Sequence, residues 1–378
     1  MDNGRPQAFL LYLRTGGGHL APAQSIATEL GRAGIDPVLV DGLTESSRFA
    51  RTIIEDGYRT LQARARWYYE LLYAVNKVPL MARWNCWLVD RQVRDYLERR
   101  ILVERPSVIV VFHFFLVRPV HAIVRRHSLT VPVVTVVTDP YTAHPMWFLI
   151  RNQQLVVFSE KLKHHCIAKG IPAEQISVFP FILSERFSTL LPEAELPRIR
   201  TRLGFTPGEK IVLLLGGADG IPRGEAILRR LVDAQIPARI AIVCGRNASL
   251  HRHATAIAAR HPGRVTVYGF VDFVYDLISI ADIVVTKCGA STFMEIIMLR
   301  KVPVITNYLW EQEKGNVDFL VGNGLGLYEK RIRHLPTLLR RLLEDRSYYT
   351  AFVDNIVRRD IRNGTADVAG HIASMVHR

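Results

Sequence analysis

The stretch AFLLYLRTGGGHLAPAQSIATEL, residues 8–30, changes its periodicity at one point. An unbroken apolar run from Ala8 to Leu13 has the length of a strand buried on both faces, and it stops at Arg14-Thr15. Three glycines and His19 follow, and then apolar residues at helical spacing as far as Leu30. Strand, glycine turn and helix open a βαβ unit, the building block of a parallel sheet covered on both faces. The glycines let the backbone turn tightly and approach a ligand, and the helix start offers unpaired N–H groups to an anion.

The same alternation runs outward from there. DPVLVDG, SVIVVF, VPVVTVVT, LVVFS and ISVFP read as strands, with RPVHAIVRRH and EKLKHHCIAKG as helices between them. Pro192, Pro197 and Pro207 interrupt the pattern, which places a linker at about residues 183–208. KIVLLLGG, ARIAIVCG, RVTVYGF, ADIVVT and VPVIT then restart it. The expected fold is α/β, with two Rossmann-like doubly wound parallel-sheet domains at 1–190 and 205–360. A helix at 361–378 is expected to pack back on the first domain. A chain of 378 residues suits two domains of this kind.

Composition narrows the partners. A net charge of +14 implies something anionic: nucleic acid, a membrane surface or a phosphorylated substrate. No helix-turn-helix, zinc finger or RNA-stacking motif supplies a reading element, so nucleic acid is not expected. The four cysteines lie far apart without a C-x-x-C pair, which argues against a zinc site and a disulfide framework. No apolar run approaches the roughly 18 residues of a membrane span, and MDNGRPQAFLLYL lacks the basic start and cleavage site of a signal peptide. A cytoplasmic protein is expected. Between about Ser46 and Glu104, however, Ile54, Tyr58, Leu61, Ala65, Tyr68, Leu72 and Val75 recur at steps of three and four among many arginines, with Trp67, Trp84 and Trp87 nearby. A basic, aromatic-rich amphipathic helix suits a membrane interface, which makes the expected placement peripheral, on the cytosolic face. The bland alternative is a helix packed on its own domain with a solvated basic face.

Candidate site residues fall where strands end, since ligands of open parallel sheets bind beyond the carboxyl ends of the strands. Gly17 and Gly18 lead to His19, whose neutral imidazole can take a proton from a substrate hydroxyl. Thr138, Asp139, His144 and Trp147 follow another strand end. Asp139 is the alternative base, His144 a polar site residue and Trp147 a lipid contact, and His113 shares the rim with a core role equally open. In the second half, the Gly217 turn suits a phosphate and Arg246 can pair with it. Gly289, Ser291 and Thr292 form a second anion-binding helix start, Glu295 faces the same side to accept both hydroxyls of a ribose, and NYLWEQEKGN offers amide and carboxylate groups to sugar hydroxyls. No Asp-x-Asp pair occurs, so no metal is implied, and helix N-termini with basic groups are expected to meet the diphosphate charge.

These motifs together, TGGGH, TDPYTAHPMWF, GGADG, CGRN and above all TKCGASTFMEIIMLRKVPVITNYLWEQEKGN, resemble the monogalactosyldiacylglycerol synthase family and its processive diacylglycerol glucosyltransferase relatives, over nearly the whole chain. The resemblance implies a GT-B fold, with two domains facing a cleft, a lipid acceptor on the first and a UDP-sugar on the second. It implies a metal-independent, inverting transfer of a hexose to diacylglycerol or a related membrane lipid, giving a β-glycosidic bond in glycolipid biosynthesis. It makes His19 the candidate base, Glu295 the ribose ligand, Gln312, Glu313 and Asn316 neighbours of the donor sugar, and Phe270 with Val271 neighbours of the uracil. Arg14 stands where the family often has Asp, and Gly289-Ala290-Ser291-Thr292 where it usually has Gly-Pro-Gly-Thr. An N-acetylglucosamine transferase or epimerase of the same fold, or a non-catalytic homologue that binds anionic lipid, is the alternative reading; the basic, Trp-rich insertion argues against an epimerase.

Overall fold

A computed structural model of the chain describes residues 5–14, 17–46, 75 and 79–376. The apolar row from Ile54 to Leu72 and the aromatic Trp67, anticipated at a membrane interface, lie outside these residues. The chain forms two compact units, residues 1–184 with 363–378, and residues 185–362.

In the first unit six strands form one parallel sheet: β1 (Gln7–Tyr12), β2 (Asp36–Asp41), β3 (Val108–Val111), β4 (Val133–Val136), β5 (Gln154–Val157) and β6 (Ile176–Val178), in the order β2-β1-β3-β4-β5-β6. Helices α1 (Gly17–Arg32), α2 (Pro79–Glu104), α3 (Phe114–Arg126) and α4 (Glu160–Ala168) connect them. The central strands β3 and β4 are buried at every position, which is why VIVV and VVTV carry no outward polar alternation. A final helix, α13 (Thr365–Val376), packs on α1. Its entry is pinned by Thr365, whose hydroxyl donates to the Leu183 carbonyl at 2.7 Å.

The second unit repeats the architecture with β7 (Ile211–Leu215), β8 (Arg239–Val243), β9 (Val265–Tyr268), β10 (Ile283–Lys287), β11 (Val302–Asn307) and β12 (Leu327–Tyr328), in the order β12-β11-β10-β7-β8-β9, again parallel. Its helices are α5 (Leu196–Arg202), α6 (Gly224–Asp233), α7 (Ala248–Arg260), α8 (Val274–Ile280), α9 (Ala290–Met298), α10 (Trp310–Gly322), α11 (Leu335–Glu344) and α12 (Arg346–Arg359). The proline-marked stretch read as a linker belongs to this unit: Phe187 packs edge-on against Tyr275, and Arg200 donates to the Ile280 carbonyl at 2.8 Å. Prolines there start short helical turns, at Pro192 and Pro197, instead of loosening the chain.

Strand order fixes where each unit can bind a ligand. Connections leave β1 and β3 in opposite directions across the first sheet, as they do β7 and β10 across the second, so a crevice opens at each of these switch points beyond the carboxyl ends. None of the described helices is long and apolar enough to cross a membrane.

Candidate active site

At the switch point of the first unit, β1 delivers His19 on the first turn of α1 and β3 delivers His113, and the two rings lie 4.5 Å apart. His19 Nδ1 is 2.7 Å from the Phe112 carbonyl and 3.0 Å from the Thr138 hydroxyl. A carbonyl only accepts, so Nδ1 carries the hydrogen and Nε2 keeps its lone pair. Burial pushes the His19 pKa down to about 4, against the opposing pull of the Phe112 hydrogen bond, so the imidazole is neutral throughout the physiological range. His113 is almost fully buried, and its Nδ1 accepts the Phe115 N–H to cap α3; burial first, and His19 second, hold its pKa well below the usual value. His144 caps the short helix Pro145–Phe148 in the same way, through the Met146 N–H.

Asp139, the alternative base, is 9% exposed and accepts the Trp147 indole N–H at 3.0 Å. That bond overturns the reading of Trp147 as a lipid contact. The ring is fully buried, edge-on to Phe114, with its one donor committed to Asp139. Pro145 starts a tight helical turn that rolls the following Met146, Trp147 and Phe148 into the core instead of onto the surface. Arg14 pairs with Asp41 at 3.1 Å, and it is the Phe112 carbonyl that holds the His19 tautomer.

In the second unit the loops after β7 and β8 are locked together. The Arg246 N–H donates to the Ala218 carbonyl at 2.7 Å, and Gly245 adopts φ +58 where a Cβ would stand 2.2 Å from that carbonyl oxygen. Gly245→Ala is expected to destabilise this unit by more than about 2 kcal/mol, from a left-handed backbone plus a backbone clash. A denaturant midpoint unchanged from that of the parent would show that the two loops can part without cost. The lock aims the Arg246 guanidinium 4.6 Å above the Phe270 ring, which is 59% exposed, making a flat aromatic face backed by a cation. Val271 beside it is half-buried.

At the switch point itself, α9 starts at Gly289 without a side-chain cap, leaving its first-turn N–H groups at Ser291 and Thr292 available to an anion. Glu295, one turn further, is half-buried, and desolvation raises its pKa to about 7. It has no hydrogen-bond or ion-pair partner among the described residues. A carboxylate held this way lacks acceptor-satisfying donors, which two vicinal hydroxyls supply.

The polar cluster after β11 divides. Gln312 is half-buried on the first turn of α10, whereas Glu313 faces inward: Oε1 pairs with Lys287 Nζ at 3.0 Å and Oε2 accepts the Leu309 N–H at 2.6 Å. Asn316 is 2% exposed and donates to the Cys288 carbonyl at 3.1 Å, so it shapes the Gly289 turn from below. Lys287 is the site residue that the sequence reading passed over. Burial lowers its pKa, the Glu313 carboxylate more than offsets this, and the net shift is upward. Its Nζ lies 3.3 Å from where a Cβ on Gly289 would stand, which puts a fixed cation beside the α9 N-terminus. The signal was a lysine closing the buried strand IVVTK. Gly217, with φ +78, has open space about it in the loop after β7. Among the described residues no three His, Cys, Asp or Glu side chains are grouped as metal ligands.

Comparison with known proteins matches residues 19–180 to the family model described as monogalactosyldiacylglycerol (MGDG) synthase. A probable chloroplastic monogalactosyldiacylglycerol synthase of Nicotiana tabacum is 26% identical over 356 residues; the match covers 89% of this chain and 65% of that protein, so the chain spans about two thirds of its length. A processive diacylglycerol β-glucosyltransferase of Bacillus pumilus is 22% identical over 370 residues, covering 97% of this chain and 94% of the other. These are the two groups that the motifs resemble. Among solved structures, Anabaena HepE in complex with UDP-glucose superposes with a TM-score of 0.61 at 13% identity, covering 98% of this chain and 99% of that one. The likeness establishes the GT-B fold.

Proposed function

We infer that this relative of the monogalactosyldiacylglycerol synthases and of the bacterial processive diacylglycerol glucosyltransferases is an inverting glycosyltransferase, moving a hexose from a UDP-sugar to diacylglycerol or a related membrane lipid. The observation that carries the inference is the unpartnered Glu295 one turn into α9, the helix whose uncapped start at Gly289 has Lys287 beside it. The uracil stacks on Phe270, the ribose hydroxyls donate to Glu295, and the diphosphate lies on the Ser291 and Thr292 N–H groups with Lys287 and Arg246 as nearby cations. Gln312, half-buried on the first turn of α10, orients the sugar.

His19 supports the chemistry. Its Nε2 takes the proton of the acceptor hydroxyl as that oxygen bonds to the anomeric carbon. The bond from that carbon to the diphosphate oxygen breaks on the opposite face, and UDP leaves with the electron pair. Attack opposite the leaving group inverts the centre. The acceptor sits at the cytosolic face of an anionic membrane, to which the net charge of +14 draws the protein, each nearby Lys or Arg contributing about 1 kcal/mol. On α2, Trp84 is 57% exposed and its ring lies 5.3 Å from Trp87, over which Arg91 is placed at 5.0 Å, an amphipathic edge suited to a headgroup region.

The test is to incubate the protein with diacylglycerol and phosphatidylglycerol vesicles and labelled UDP-sugars, with Glu295→Gln alongside. Transfer of one sugar to the lipid fraction, reduced in the variant through the donor KM, is expected; vesicle binding without transfer from any donor would move the reading to a non-catalytic lipid-binding protein. Glu295 also sets a pH dependence. The ionised carboxylate is the form that accepts two hydroxyls, and its pKa is about 7 without ligand. UDP affinity should therefore weaken as pH falls below 7, by up to about tenfold per pH unit, and level off above it. In Glu295→Gln this limb is expected to vanish, as isothermal titration across the range would show.

A further inference from the structure

Two oxygens from different strand ends meet His19 Nδ1: the Phe112 carbonyl after β3, at 2.7 Å, and the Thr138 hydroxyl after β4, at 3.0 Å. Thr138 is 5% exposed, and among the described residues its hydroxyl has no other hydrogen-bond partner. The carbonyl fixes the sense of both contacts. A ring with its hydrogen on Nε2 would turn the Nδ1 lone pair toward the carbonyl oxygen, so the hydrogen is on Nδ1 and the two oxygens share it in a three-centre bond. The bond that joins an imidazole to its Cβ turns in a broad well, and a single acceptor leaves the ring free to swing about it. A second acceptor narrows that swing and with it the direction of Nε2. The side chain that supplies it is β-branched and stiff at χ1, so the oxygen is itself held in place.

No ionised side chain sets the basicity of this ring: burial lowers its pKa and the Phe112 hydrogen bond raises it. Arg14 pairs with Asp41, and Asp139 accepts the Trp147 indole N–H. The rings that face His19 are His113 at 4.5 Å and Trp147 at 6.4 Å; neither is charged, since burial, and then His19, keep the His113 pKa well below the usual value. When Nε2 takes the acceptor proton, the imidazolium is met at Nδ1 by two neutral oxygens. A hydrogen bond from a charged donor is about twice as strong as one between neutral groups. The Thr138 bond therefore strengthens as the proton moves, which lowers the barrier without tightening the ground state.

We propose that Thr138 is a positioning residue of the transfer reaction, its hydroxyl orienting the His19 imidazole and accepting a stronger hydrogen bond as the ring becomes charged. The proposal rests on the reading of His19 as the base.

The full chain is compared with Thr138→Val, which keeps the shape and loses the hydroxyl, and with Thr138→Ser, which keeps the hydroxyl and loses a methyl. Each is made alone and together with His19→Ala, and rates are measured with diacylglycerol vesicles and the labelled UDP-sugar that the parent transfers. Thr138→Val is expected to lower kcat about tenfold, with donor KM and UDP affinity within about twofold, and Thr138→Ser to recover most of the rate. In the His19→Ala background neither substitution should change the residual rate by more than about twofold. Should Thr138→Val not fold, Thr138→Ala against Thr138→Ser repeats the comparison, since those two differ by the hydroxyl alone. A Ser variant slower than the Val variant would mean that Thr138 only packs, and would overturn the proposal, as would a Val variant as fast as the parent. So would a tenfold loss that persists without His19, which would put the hydroxyl on the substrate instead. Failure of the underlying reading has another signature: His19→Ala as fast as the parent, or a parent that transfers no sugar, removes the base and the proposal with it.

Discussion

His19→Ala lowers kcat by about 10²–10⁴-fold while leaving UDP affinity within about twofold of the parent, the expected result if the imidazole acts only on the acceptor hydroxyl. Steady-state kinetics beside a UDP titration separate the two effects. The form of the pH profile is a sharper check than the size of the loss. With its pKa near 4, the ring is an unprotonated acceptor at every pH above that, and it loses its lone pair only as pH falls through about 4. The acid limb of kcat in the parent should therefore appear near 4, not near the ordinary histidine value of about 6.5. A limb at 6.5 would mean that the ring is not desolvated as its burial requires, and a rate unaffected by the substitution would pass the role of base to Asp139.

The second large effect belongs to Lys287. Removing its ammonium in Lys287→Met strands the Glu313 carboxylate, which is largely buried with one oxygen turned to that cation. Breaking this partly buried pair on one side, the lysine being 34% exposed, costs about 1–3 kcal/mol, and the second unit should unfold at correspondingly lower denaturant. Adding Glu313→Gln removes the stranded charge and is expected to restore most of the stability. Donor affinity should stay low in both variants, because each lacks the cation beside the α9 N-terminus. If the double variant is no more stable than the single one, the pair is not what holds the Gly289 turn.

The fold was legible because each strand is a short apolar run ended by glycine, proline or a charge, and a parallel sheet buried on both faces demands that pattern. His19, Glu295 and Arg246 could be assigned to a rim because position past a strand end already determines which rim a residue occupies; Phe270 came only from the family resemblance, and its contact with Arg246 from neither. Direction along that rim was not. Glu313 and Asn316 turn inward and Gln312 does not, a difference decided by where α10 begins at Leu309 and by the pull of Lys287. Trp147 carried a surface signal in its chemistry and a core position in its turn, and the turn prevailed. The shorter of the two contacts of His19 Nδ1 is to a main-chain carbonyl, which any residue at position 112 would supply, so no residue type could mark it.

The first unit is made from two stretches of chain separated by the whole of the second. Asn363 and Thr365 bond to Leu183 across 180 and 182 residues. On the ribosome, β1 to β6 emerge early, yet the surface of α1 that α13 covers stays bare until the second unit has been translated, roughly 10–35 s at ordinary elongation rates. For that interval the nascent chain presents an apolar helix face with no mate, and unit two, contiguous in sequence, has the shorter route to its native state. Synthesis order thus makes the unit that is translated first the last to be finished.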